Sequence, residues 1–296
     1  MSEIAIPAAF EEIERSWRPA DQYAEDVVTA QPPALFSAIL DQPPVVQADG
    51  DPLPPLWHWF LFAPAYRQST LGEDGHPEAA SFTPPLPDRR RMFGGGRLEV
   101  HEPLRCGEHV TRRSSLVHVN THIGRTGPLL LLTVRHELAV AGQLRISEEQ
   151  DLVYRRAADV ARTRRDDVSI ARSAEQAPPS ADRSLTVRPD PRLLFRFSAL
   201  TNNAHRIHYD RPYAEQVEGH PGLVVHGPLL ALLLLELPRR HDPRPISWFT
   251  WRAPQPVYDR ETVEVVGWRH EDGWDLAAGA AGNLQRVTGT TARAGR

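Results

Sequence analysis

The most constraining feature of the chain is residues 228–237, PLLALLLLEL, which present apolar side chains on nearly every side when wound as a helix. The apolar run is far shorter than the ~20 residues that span a bilayer, and prolines at 228 and 238 bracket it, so it reads as a buried core helix. Pro228 sits at the first helical position, where a missing N–H costs nothing and a fixed φ helps. A helix without a polar face must be enclosed, and one long helix wrapped by an antiparallel sheet satisfies that need.

Strands for such a wrapping are present in both halves of the chain. HVTRRSSLVHV and TVEVVGWRH show the polar/apolar alternation of half-buried strands, and MFGGGRLEVH, PLLLLTVRHELAV, SWFTWRAPQ, GWDLAAGAAG and NLQRVTGTTAR extend the set. LLFRFSALTNN reads as a further apolar strand running into a polar turn. One octet occurs twice, PLRCGEHV at 103–110 and PVYDRETV at 256–263, 153 residues apart, each after a strand-like segment and before an alternating one. That spacing is about one small domain and points to a duplicated architecture. The first-half counterpart of the apolar helix is expected at 32–41, PPALFSAILD, which also opens with proline. Residues 156–186 are charged, rich in Ala, Ser and Pro and nearly free of large apolar side chains, as a linker is. The expected organisation is therefore an N-terminal domain over 1–155, a linker over 156–186 and a C-terminal domain over 187–296. The Pro-rich residues 42–91 have no counterpart in the second half and are expected to line the substrate site or cover it as a lid.

Net charge of −4 offers no electrostatic reason to expect nucleic acid as a partner. All 34 basic residues are arginine, which coding bias explains as readily as a need for bidentate anion contacts. Cys106 is the single cysteine, so there is no intrachain disulfide and no thiolate set for zinc, and a reducing compartment fits. The first residues, MSEIAIPAAFEEIERSW, place acids where an export signal has a basic region, so the expected location is cytoplasmic, with no membrane partner.

The chemistry concentrates in FSALTNNAHRIHYDRPYA and VVHGPLL. His205, His208, Asp210 and Arg211 lie within a few residues, and histidine exchanges protons near neutrality. The start of the apolar helix leaves its first N–H groups unpaired at the positive end of the dipole, and Gly227 has no side chain to block approach to one of them. A free N–H there can hold a thioester oxygen as it becomes enolate-like.

These residues resemble the MaoC-like, R-specific enoyl-CoA hydratase family, whose signature runs Asp-x-Asn-Pro-[Ile/Leu]-His-x-Asp and precedes an apolar His-Gly helix start. Ile207, His208 and Asp210 match the end of the signature, and His226 with Gly227 match the helix start. Asn203 occupies the position of the family's aspartate, His205 that of its asparagine and Arg206 that of its proline. These departures are similar to the type 2 hydroxyacyl-thioester dehydratase branch, which includes mesaconyl-CoA and itaconyl-CoA hydratases. GGGRLEVHEPLRCGEHVTRRS, TGPLLLLTVRHEL and EEQDLVYR resemble that branch's N-terminal domain.

The resemblance implies an α+β double hotdog, two tandem hotdog domains each with a long helix wrapped by an antiparallel sheet, the first half degenerate and the second catalytic. It implies hydration of an enoyl thioester, or dehydration of a 3-hydroxyacyl thioester, on a short or dicarboxylic acyl group carried by CoA or acyl carrier protein. His208 is the expected base, Asn203 orients the water and the Gly227 N–H is the oxyanion donor. His205, Arg206, Arg211 and His226 are the expected substrate-binding set. No cofactor and no metal is expected, and a homodimer is compatible with the fold. Two other readings share this frame: a hotdog thioesterase, which would release free thiol, and a non-catalytic acyl-binding partner subunit.

Several other residues take structural readings. His118 and His122 share a strand face but lack a third ligand nearby. Gly94, Gly95 and Gly96 lack the lysine and helix of a phosphate loop and read as a bulge or a close backbone approach. Trp57, Trp59, Phe60 and Phe62 read as core, with lining of an acyl tunnel as the alternative.

Overall fold

In a computed structural model, residues 5–87, 89–124, 127–156, 180–280 and 282–292 are described. In chain order the main elements are α1 (Ala8–Ser16), β1 (Gln22–Val27), α2 (Gln31–Ile39), β2 (Arg89–Val100), β3 (His109–Gly124), β4 (Gly127–Val140), β5 (Gln143–Arg156), β6 (Arg183–Val187), α3 (Pro191–Leu200), α4 (Gly227–His241), β7 (Trp248–Arg252), β8 (Val263–Arg269), β9 (Gly273–Ala280) and β10 (Asn283–Ala292). The ten strands form one antiparallel sheet in the order β1-β3-β4-β5-β2-β7-β10-β9-β8-β6. This order is palindromic: β1 to β5 and β6 to β10 are the same five-stranded unit, joined where β2 pairs with β7. Gly96 lies opposite Trp251 at this seam, and a side chain there would run into the Glu149 carbonyl and the Trp251 ring. The triple glycine is thus a place of close backbone approach, with a register shift beside it between Phe93 and Gly95.

The duplicated octets fold alike. Leu53 N–H donates to the Leu104 carbonyl (2.7 Å) and Cys106 N–H to that of Asp51 (2.9 Å). Val225 N–H likewise donates to the Val257 carbonyl (2.8 Å) and Asp259 N–H to that of Leu223 (2.9 Å). The same match corrects the expected helix pairing. α2 corresponds to α3, because Phe36-Ser37-Ala38 and Phe197-Ser198-Ala199 hold equivalent places and the next turns repeat. Asp41 and Asn202 both have left-handed φ (53° and 47°), and the N–H groups of Gln42 and Asn203 reach the Ser37 and Ser198 carbonyls, each at 2.9 Å. Phe36 meets Phe197 edge-on at 6.2 Å, where the two helices pack together.

The segment expected as a strand, 193–203, is therefore helical as far as Leu200. Asp190 caps it by accepting from the Leu193 N–H, Pro191 opens it, and Leu194, Phe197 and Ser198 form the buried stripe at helical spacing. Among the described residues the long helix α4 has no equal in the first half. After Leu53 the chain runs through Pro54 and Pro55 into a left-handed Leu56 (φ 68°) and a single 3-10 turn, Trp57–Phe60. α4 continues past Pro238 to His241, and its residues 229–238 are all buried against both halves of the sheet. β6 begins within the stretch expected to be linker and pairs with β8, so the second unit begins no later than Arg183; residues 157–179 of that stretch lie outside the described residues. Among the described residues no helix is long and apolar enough to cross a membrane.

Candidate active site

Among the described residues the first half has no long helix, and a cavity of about 950 Å³ reaches from one face of β3 to β5 to the start of α4. Residues of the 42–91 segment, including Trp59, Phe62, Tyr66, Asp74 and His76, form one wall, as a lining insert should. Trp59 and Phe62 line the cavity, whereas Trp57 and Phe60 are in the core.

His208 ends a short 3-10 turn, Arg206–His208, pinned to the strand-like run into α4: the Val224 N–H donates to the Ile207 carbonyl at 3.0 Å. The Val224 carbonyl lies 2.8 Å from His208 Nδ1. A carbonyl only accepts, so Nδ1 carries the proton and Nε2 is left with its lone pair, in a residue that lines the cavity. Burial depresses the pKa of His208 to about 4, so it is neutral, and basic at Nε2, at physiological pH. Behind it His226, fully buried, stacks on the same ring at 3.6 Å and 18°, with its own Nε2 2.9 Å from the Ser198 hydroxyl. Two stacked rings at that distance cannot both be protonated, and burial with His208 nearby holds His226 well below the usual histidine range. His226 supports His208 and does not itself line the cavity.

Asn203 follows the left-handed Asn202 at the end of α3. Its side-chain oxygen accepts from the His205 N–H at 3.0 Å, so its NH₂ is the group left for a ligand, and Asn203 lines the cavity. Gly227 is the first residue of α4, and Pro228 after it has no N–H, which leaves the Gly227 N–H as the foremost free donor of the helix. A Cβ on Gly227 would come within 3.1 Å of the Phe93 ring, so a larger residue there would press on that ring. The structure therefore brings His208, Asn203 and Gly227 to one cavity, together with His205.

Arg206 and Arg211, expected to bind substrate, do not line the cavity. Arg206 bonds both terminal branches of its fork to structure, Asp210 (2.8 Å) and the Glu73 carbonyl (3.1 Å), and its guanidinium lies 4.0 Å from the Tyr213 ring centroid. Arg211 is paired with Asp259 and Glu215. Each arginine is consumed by local ion pairing that a one-dimensional reading cannot see. Sequence reasoning missed His76, which stacks against His205 (ring centroids 4.0 Å apart) and lengthens a row of rings from His76 through His205 and His208 to His226, and Asp74, which holds the His76 ring. Ligand-type atoms of Asp74, His76 and His205 lie within 4.8 Å of one another, but Asp74 already accepts from the His76 N–H and faces its ring. The insert carries no motif that would have marked them.

The chain matches the family described as hydroxyacyl-thioester dehydratase type 2 over residues 56–259. It is 46% identical over 261 residues to the mesaconyl-C(4)-CoA hydratase of Chloroflexus aurantiacus, covering 87% of this chain and 89% of the relative. This chain belongs to the hydroxyacyl-thioester dehydratase type 2 family. A mitochondrial hydroxyacyl-thioester dehydratase type 2 of Schizosaccharomyces pombe is 27% identical over 239 residues, with 72% and 77% covered. Among solved structures, HtdX of Mycobacterium tuberculosis superposes with a TM-score of 0.65 at 17% identity over 92% of this chain and 99% of that one. Another protein of the same bacterium, described as a double hotdog, gives 0.57 at 15% identity over 95% and 96%. The α+β double-hotdog fold and the hydratase or dehydratase class on acyl thioesters thus agree with the expectation from sequence.

Proposed function

We propose that the enzyme adds water to the double bond of a short, dicarboxylic enoyl-CoA, and removes it in the reverse direction, with His208 as its single base. The observation that carries this reading is the His208 geometry: Nδ1 is locked to the Val224 carbonyl and Nε2 is left basic, in a cavity that Asn203 and Gly227 also line. Nε2 takes a proton from a water held by the Asn203 NH₂, the hydroxide oxygen bonds to the β-carbon, and the electron pair moves to the thioester oxygen at the Gly227 N–H. A buried imidazolium with so low a pKa is a strong acid, so the same proton returns to the α-carbon and His208 is regenerated. The CoA carrier and the dicarboxylic acyl group are supported by the mesaconyl-C(4)-CoA hydratase likeness. All of these residues come from one chain, so homodimerisation is not needed to complete the site.

The test follows loss of the conjugated double bond in a panel containing mesaconyl-C(4)-CoA and crotonyl-CoA, with free thiol measured in parallel. Hydration without thiol release is expected, and His208→Ala should lower kcat/KM by about 10³-fold or more. Thiol release would indicate a thioesterase instead, and an undiminished His208→Ala rate would remove His208 from the chemistry.

A further inference from the structure

The cavity wall formed by the first-half sheet is polar where a hotdog core would be apolar. Arg112 and Ser114 of β3, His136 of β4, and Glu148 and Gln150 of β5 alternate in register onto one face and all line the cavity. Most of this row is internally satisfied. Glu148 receives Trp59 Nε1 (2.7 Å), Gln150 Nε2 (2.8 Å) and His58 Nε2 (2.6 Å), and Ser114 Oγ is 2.7 Å from His136 Nδ1.

Arg112 is the exception. Among the described residues no carboxylate lies within ion-pair distance of its guanidinium, and its Nε is buried with no acceptor. Its specific contact is the Phe62 ring, whose centroid lies 4.4 Å away and which orients the planar fork. Burial pulls its pKa down, the effect of removing a cation from water, and Glu148, spoken for by three donors, acts on it only at a distance. A part-buried cation whose neighbouring carboxylates, Glu148 and Asp26, are engaged by other donors can take its anion from a ligand.

We propose that Arg112 receives a free carboxylate on the acyl group of the substrate and so selects dicarboxylic thioesters over neutral acyl groups of the same size. The inference rests on the hydratase reading above and adds to it the residue that reads the acyl group. Arginine suits the task because its fork meets both carboxylate oxygens, while neighbouring Ser114 and His136 keep the pocket polar.

The experiment compares wild type, Arg112→Met and Arg112→Lys on mesaconyl-C(4)-CoA and on 3-methylcrotonyl-CoA, its analogue with a methyl in place of the carboxylate. Arg112→Met should lose roughly 10- to 100-fold more kcat/KM on the carboxylate substrate than on the neutral one, with Arg112→Lys recovering part of that difference. The same comparison by binding uses non-reactive succinyl-CoA and butyryl-CoA and should show the same loss of discrimination, which keeps the result independent of turnover. Phosphate-free pantetheine thioesters of the same acyl groups should reproduce it. Equal losses on both acyl groups would overturn the proposal, as would a loss seen with CoA thioesters and absent with pantetheine thioesters, which would assign Arg112 to a CoA phosphate. If wild type hydrates neither substrate while succinyl-CoA binding still depends on Arg112, the hydratase reading fails and the carboxylate contact stands.

Discussion

His208 shows how a residue's surroundings decide its chemistry. An exposed histidine titrates near 6.5, whereas here burial moves the group to about 4. The acid limb of kcat/KM for hydration is accordingly expected near pH 4 to 5, with a flat profile from about pH 6 to 8; a limb near 6.5 would mean that His208 is solvated during turnover. The same shift links to stability. The folded state binds this proton less readily than the unfolded chain, so stability from neutral His208 is complete above about pH 6.5 and is lost as pH falls towards 4. The loss should reach about 3 kcal/mol, and His205 and His226, depressed in the same direction, add to it. Denaturant midpoints measured between pH 7 and pH 4 check this. Asn203→Asp would place a carboxylate beside the histidine row, and its expected signature is an acid limb moved upward relative to wild type. The identity of His208 and Asn203 was legible from the signature they resemble. The roles proposed for them rest on the Val224 carbonyl, which selects the tautomer, and on the His205 N–H, which takes the Asn203 oxygen.

At the scale of elements, the two halves share five strands and a short helix but differ at the next step of the chain. Where the second half has His226-Gly227 opening α4, the equivalent first-half residues after Leu53 are Pro54 and Pro55. Proline has no N–H, so the first half offers no oxyanion donor there, and Gln42 stands where Asn203 does. Among the described residues, the arrangement proposed as the site therefore occurs in the second half and is not repeated in the first. The apolar helix was plain in sequence because a fully apolar face pattern has one interpretation. α3 was misread because LLFRF puts apolar residues at both strand and helix spacing, and only the Asp190 cap and the packing of Phe197 against Phe36 resolve it. Leu233 lies in the middle of α4 at 1% exposure, so Leu233→Ala should cost about 2 to 5 kcal/mol by chemical denaturation. A much smaller value would mean that α4 is not the centre of the core.

At the scale of the whole molecule, the seam between β2 and β7 makes two five-stranded units into one sheet with α4 beneath it. Gly96→Val should strain that seam, because its side chain would meet the Trp251 ring within 2.6 Å and the Glu149 carbonyl behind it. A loss of about 1 to 3 kcal/mol or more in thermal unfolding is expected, with hydration activity falling together with the folded fraction. A variant as stable as wild type would show that the halves do not depend on this contact. Much of this protein was determined by sequence alone: a core helix that must be enclosed, a duplicated strand unit, and a histidine with a glycine helix start, because periodicity and local motif are properties of neighbouring residues. Tertiary structure alone decided that one long helix serves both halves, that Arg206 and Arg211 are spent on ion pairs, and that Asp74 and His76 join the histidine row. It also turned Arg112 to the cavity with no ion-pair partner among the described residues. The α4 packing, the histidine row and the placing of Arg112 depend on which atoms distant in sequence are brought together by strand register and packing, whereas Arg206 and Arg211 depend on whether nearby acids such as Asp210 and Glu215 fold within reach.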